Sequence, residues 1–281
     1  MRIEQTSGYL PVEDRFVYVT LHAPARAAAA SLLLLLAPFG EERKCTRRLL
    51  VRLARRVADA GGGAVYFDFS GTGSSTGAHR GASLHAWLQE AETVLDWSTT
   101  VLSASSWGLL GTRSGANLAA RLAAKRGAAY LTLLEPLLSG PDFVRDLERR
   151  QQIKHILEPA TATSRGTDPE PAPADITDFG GYEVAPRLRK ELMQLQLLDD
   201  LQHVPANCRV QLIKTAGSAG FPRRWQAVTQ ECDRRPQTTA VTCRERPFWG
   251  QIEYRESETM PDTVLAFLQP LLGVSTHAAS Q

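Results

Sequence analysis

Gly111 and Gly115, four residues apart in Gly111-Thr112-Arg113-Ser114-Gly115, restrict the folds open to this chain more than any other feature. A strand-like run, Ser106-Trp107-Gly108-Leu109-Leu110, leads into them. A helix of small residues, Ala116-Asn117-Leu118-Ala119-Ala120-Arg121-Leu122-Ala123, leads out. Strand, paired glycines and helix in that order predict a sharp elbow that lifts its middle residue above the carboxyl end of a sheet. The glycines permit the turn and let the helix approach its strand. A nucleophilic serine is expected at the tip of such an elbow. Here the tip is Arg113, and Ser114 follows one place later.

The rest of the chain fits a sheet around that elbow. Phe16-Val17-Tyr18-Val19-Thr20-Leu21, with the segment near Ile3, reads as an antiparallel hairpin. Residues 32–37 form an apolar run of the kind buried on both faces, and a helix follows with Leu49, Leu53 and Val57 on one stripe. Ala64-Val65-Tyr66-Phe67-Asp68-Phe69 is a strand leading into a glycine-rich loop at residues 70–77, then a helix carrying Leu84, Trp87, Ala91, Val94 and Leu95. Tyr130-Leu131-Thr132-Leu133-Leu134 is the strand after the elbow helix. From about Pro141 the alternation breaks. Residues 142–157 and 187–201 read as helices, and the Pro-, Thr- and acid-rich residues 159–175 as a mobile loop. Strands return at residues 208–213 and 239–243, with helices at 224–232 and 262–268. Alternating strands and helices predict right-handed crossovers and a parallel sheet. The expected class is an α/β-hydrolase fold: a mostly parallel central sheet with an N-terminal antiparallel hairpin and a helical cap insertion. Its core would comprise residues 1–140 and 206–272, the cap 141–205, and a frayed tail 273–281.

Composition removes several function classes. Net charge is +2 over 281 residues, which gives no case for nucleic-acid binding. Cys45, Cys208, Cys232 and Cys243 form no close metal-type pair, so no metal or cofactor is expected and the thiols read as free and mostly buried. The most hydrophobic run, residues 27–37, is too short to span a bilayer and starts too late for a signal peptide. A cytoplasmic protein is expected. Gly71-Thr72-Gly73 lacks full dinucleotide spacing, because position 76 is Thr76, and reads as a supporting turn.

Four stretches together resemble one family. Ala37-Pro38-Phe39-Gly40-Glu41-Glu42-Arg43-Lys44 with Arg47-Arg48 is similar to the "PFxEExxKxRR" stretch of the exosortase A system-associated hydrolases, type 2. The loop from Asp68 to Gly77 resembles their "DxxGxGxSxG", the run from Trp107 to Gly115 their "WGLRxG", and Leu134-Glu135-Pro136-Leu137-Leu138-Ser139-Gly140 their "WxPVxxG". The resemblance covers roughly residues 32–157. It implies the α/β-hydrolase fold, an arginine at the elbow, and a link to export and sorting of surface proteins and exopolysaccharide.

A Ser-His-acid site needs a nucleophile, a base within hydrogen-bond reach and an orienting carboxylate. After residues 239–243, where the base belongs, no histidine occurs before His277. After residues 208–213, where the acid belongs, Lys214-Thr215-Ala216-Gly217-Ser218 offers no carboxylate; Glu135, after the preceding strand, is an alternative acid. Ser114 is a displaced candidate nucleophile, though a serine there also suits the start of a helix. Arg113 at a helix N-terminus suits a carboxylate or phosphate, with Ser114 and the Phe39-Gly40 loop as further donors. An internal ion pair with Glu41, Glu42, Asp68 or Glu135 is the equal alternative. The basic helix, with Arg43, Lys44, Arg47, Arg48, Arg52, Arg55 and Arg56, reads as a solvated face or as a docking face for an acidic partner or an anionic membrane surface. Three functions remain open: an atypical ester or amide hydrolase, a non-catalytic binder of an anionic small molecule, and an interaction protein of an export or exopolysaccharide system.

Overall fold

The computed structural model describes residues 3–25, 29–157, 176–217, 220–247, 249, 256–257 and 259–272. The loop expected at 159–175 and the tail expected at 273–281 lie outside the described residues. An eight-stranded sheet forms the centre, with strands β1 (Ile3–Val12), β2 (Arg15–Pro24), β3 (Ser31–Leu36), β4 (Gly63–Phe67), β5 (Ser106–Thr112), β6 (Tyr130–Leu134), β9 (Arg209–Thr215) and β10 (Thr238–Cys243). Their spatial order is β1-β2-β4-β3-β5-β6-β9-β10. β1 and β2 are the expected antiparallel hairpin, β2 pairs antiparallel with β4, and every other neighbouring pair is parallel.

β3 shows why a continuous apolar run suits a central strand. Leu32, Leu34 and Leu36 enter one core, Leu33 and Leu35 the other, and all five are fully buried. The pleat sends alternate side chains to opposite faces, so a strand covered on both sides needs apolar residues at every position. One face is covered by α1 (Glu42–Asp59) and α8 (Met260–Leu268). The other is covered by α2 (Leu84–Leu102), α3 (Ser114–Arg126) and α7 (Gln226–Arg234). Between β6 and β9 lie α4 (Gly140–Leu157), a two-residue hairpin of β7 (Thr177–Asp178) and β8 (Glu183–Val184), α5 (Pro186–Met193) and α6 (Leu197–Gln202).

Two details differ from the sequence reading. β5 runs two residues further, to Thr112, and its partners β3 and β6 hold that extension in register. The single helix expected at 187–201 is two, α5 and α6. The chain breaks between them because Leu195 O accepts the Gly140 N–H at 2.7 Å and Leu197 N–H donates to Leu138 O. Those bonds tie the insertion to the segment leaving β6 in place of continuing the helix. The basic face of α1 stays largely exposed, at Lys44, Arg47, Arg48, Arg52 and Arg55, and several of its cations are ion-paired: Arg43 and Arg47 meet Asp68, Lys44 meets Glu41, Arg48 meets Glu256 and Arg56 meets Asp262.

Candidate functional site

Arg113 sits at the carboxyl end of β5 with φ 52° and ψ −123°, a conformation costly for any residue with a side chain. The flanking glycines explain how it is reached. A Cβ on Gly111 would lie 2.3 Å from Gly115 O, and one on Gly115 would lie 2.5 Å from Leu36 O and Ala37 O. Both positions are closed to anything larger, so α3 starts pressed against β5 and β3. Arg113 N–H donates to Leu134 O, and α3 begins at Ser114.

The Arg113 guanidinium is largely buried, and it is paired. Nε lies 3.1 Å from both Glu42 carboxylate oxygens, one terminal nitrogen donates to Glu42 Oε1 at 3.0 Å, and the other to Glu135 O at 3.2 Å. Glu42 is 2% exposed in the first turn of α1, where a helix favours a carboxylate. A cation at the start of α3 has the opposite fit, and Glu42 offsets it. Burial works against the charge of Arg113, but the Glu42 carboxylate outweighs it, and the guanidinium pKa lies above its ordinary value. Of the four carboxylates that the sequence offers, Glu42 is the salt-bridge partner.

Ser114 is buried and its Oγ accepts the Phe39 N–H at 2.7 Å. That bond occupies the hydroxyl and, at the same time, the loop donor. Phe39 points into an aromatic group with His79, Trp87, Phe143 and Tyr182. Gly40 is at φ +66°, and a Cβ there would lie 4.0 Å from the Tyr182 ring. The His79 ring hydrogen-bonds through Nδ1 to Glu183 O. Among the described residues no histidine is hydrogen-bonded to Ser114. Glu135, at φ 47°, is also committed: its Oε1 accepts from Lys214 Nζ at 2.7 Å, Thr215 N–H at 2.6 Å and the Thr215 hydroxyl. Asp68, at the end of β4, receives Arg43, the Tyr66 hydroxyl and the Ser74 N–H.

A cleft of about 290 Å³ opens beside this network. Arg113 and Glu135 form part of its wall, with Leu137 and Leu138 after β6, Asp142, Phe143 and Asp146 on α4, and Arg224 and Trp225 before α7. Sequence reasoning singled out Arg113 and Glu135, which the fold brings together. Asp146, Arg224, Trp225 and Lys214 it did not find as site residues. They come from separate elements and carry no local motif. No group of residues suited to a metal ion occurs among the described residues.

Solved structures carry the same architecture. Est1E of Butyrivibrio proteoclasticus, with ferulic acid bound, matches with a TM-score of 0.63 at 14% identity, over 94% of this chain and 97% of that one. An esterase of Pyrococcus furiosus matches at 0.64 and 11%, over 96% and 92%. A serine hydrolase without lid from Xanthomonas campestris matches at 0.60 and 16%, over 97% of each chain. This chain has the α/β-hydrolase fold. No protein-family model matches the sequence, and no curated protein does at a significant level.

The residue at the strained elbow of this chain is Arg113. Beyond the last strand, Glu245 accepts from the Thr259 N–H and hydroxyl and Trp249 is buried against the core under α1 and α8. Cys208 and Cys232 are buried, and burial pushes both thiols up to about 11, which leaves them protonated and inert at neutral pH. No helix among the described residues is long and apolar enough to cross a membrane.

Proposed function

We propose that this chain is a non-hydrolytic protein of the α/β-hydrolase fold that binds an anionic small molecule in the cleft beside Arg113. The observation that carries the reading is the paired arginine in the backbone conformation of the nucleophile, with the adjacent serine hydroxyl held by Phe39 N–H. An ion-paired guanidinium cannot attack a carbonyl, and a serine with neither a base nor the elbow position is not activated. The Glu42 fork uses one side of the guanidinium. Its two terminal nitrogens carry four N–H groups, and the bonds to Glu42 and Glu135 use two of them, so a carboxylate or phosphate entering the cleft meets free donors. The donor set therefore centres on Arg113. Phe39 N–H is already occupied by Ser114. On this reading the insertion between β6 and β9 is the cap that walls the cleft, and the resemblance to exosortase-associated proteins gives the ligand a setting in surface-protein export.

The test combines turnover with ligand stabilisation. A panel of ester and amide substrates is expected to show no hydrolysis above a Ser114→Ala control. Phosphate and simple carboxylates are expected to raise the Tm of the wild type and to do so less for Arg224→Ala. Turnover abolished by Ser114→Ala would establish the hydrolase reading instead. Absence of any anion-dependent shift would leave the interaction-protein reading.

A further inference from the structure

The charges around the cleft are sorted by wall. The cations, Arg113 and Arg224, come from the elbow and from the turn before α7. The acids Asp142 and Asp146 come from α4, one turn apart. Asp142 already meets Arg145 at 3.0 Å. Asp146 is exposed at the rim, and among the described residues its carboxylate has no ion-pair partner. It lies beyond ion-pair reach of Arg113, yet near enough that its charge supports the charge of the guanidinium. Arg113 is held by Glu42 and Glu135 O, while Asp146 stands on α4 without an ion pair to it.

We propose that the cleft binds a zwitterionic aminocarboxylate of amino-acid size, its carboxylate on the Arg113 guanidinium and its ammonium on Asp146. The inference rests on the anion-binding reading and adds a second charge to it. A molecule of one sign meets a like charge on one wall and so binds less tightly than one that carries both signs. A dianion would meet Asp146 as well as Arg113, and a simple cation would meet Arg113 and Arg224. Glu135, the remaining carboxylate, is ion-paired with Lys214 through Oε1, which also accepts from Thr215, so its charge is already offset. A molecule with both signs satisfies both walls, with the specificity that paired opposite charges confer. The volume sits at the low end of the ~300–1,000 Å³ range of ligand pockets, which limits the guest to a small one. Phe143, Trp225 and Leu138 supply an apolar wall, so an apolar side chain is favoured.

Calorimetric titration of the intact chain with L-leucine, N-acetyl-L-leucine and L-leucinamide tests this, on the wild type and on Asp146→Asn. Removing one charge-assisted hydrogen bond weakens binding by about tenfold or more. Leucine is expected to bind about tenfold more tightly than either derivative. Asp146→Asn is expected to weaken leucine to the level of N-acetyl-leucine while leaving N-acetyl-leucine unchanged. Equal binding of leucine and N-acetyl-leucine to both proteins would overturn the zwitterion and leave the anion reading standing. Phosphate-dependent stabilisation with no binding of either would do the same. Tighter binding of leucinamide, or no response to any probe including phosphate, would overturn both.

Discussion

Arg113 and Glu42 form a pair in which each holds the other's charge in a place that would otherwise reject it. Removing one partner of a buried ion pair leaves an uncompensated charge and costs more than the pair contributes. Arg113→Ala is therefore expected to destabilise the fold by about 3 kcal/mol. The double variant Arg113→Gln with Glu42→Gln should recover much of that loss, as read from urea unfolding midpoints; a double variant worse than the sum of the singles would contradict the pairing. His22 offers a second check at this scale. It is buried on β2 with both ring nitrogens unpartnered, and burial, assisted by Arg55, holds its pKa below the ordinary value. The unfolded chain then takes up a proton that the folded chain refuses, so stability falls as pH drops below about 6.5 toward the folded pKa. Burial raises the carboxyl pKa of Glu90 and of Asp200, and those groups act in the opposite sense. The difference between wild type and His22→Leu isolates the histidine. It should shift in favour of the variant from pH 7 to pH 5, and a difference flat across that range would refute this assignment.

At the scale of elements, α4 and α5 meet closely at one glycine. A Cβ on Gly140 would lie 1.9 Å from Leu192 O, where the start of α4 meets the end of α5. Gly127 ends α3 at φ +76° with open space around it. Gly127→Ala incurs the strain of the left-handed backbone alone, about 1–2 kcal/mol. Gly140→Ala forces backbone apart, and overpacking of this kind typically costs about 1–3 kcal/mol. The expected difference is in kind: Gly140→Ala should speed proteolysis within the insertion, whereas Gly127→Ala should lower the global midpoint without that local exposure. Such docking was the part of the fold least visible in sequence. β6 was readable to the residue because Tyr130 to Leu134 is buried on both faces and bounded by turn residues. The break between α5 and α6 was not readable, because Leu195 and Leu197 end and restart helix for partners about 55 residues away in the chain, Gly140 and Leu138. Periodicity reports which face of a helix is apolar; it does not report where a distant backbone claims its carbonyls.

For the molecule as a whole, the order of strands and the elbow were legible because they depend on local rules: apolar runs, paired glycines and crossover handedness. The site was legible only in part. Arg113 stood out because it occupies a position reserved by backbone geometry. Its partner was one of four equal candidates until the first turn of α1 was seen to lie against the elbow. The cleft was legible only at Arg113 and Glu135, since the rest of its wall forms when α4, the turn before α7 and the end of β6 come together. On the proposed reading, a structural ion pair stands where the nucleophile of this fold would be. Intact-mass measurement after exposure to a fluorophosphonate probe tests that most directly. The predicted result is an unmodified chain, identical to a Ser114→Ala control; a stoichiometric adduct that maps to Ser114 and disappears in that control would contradict it.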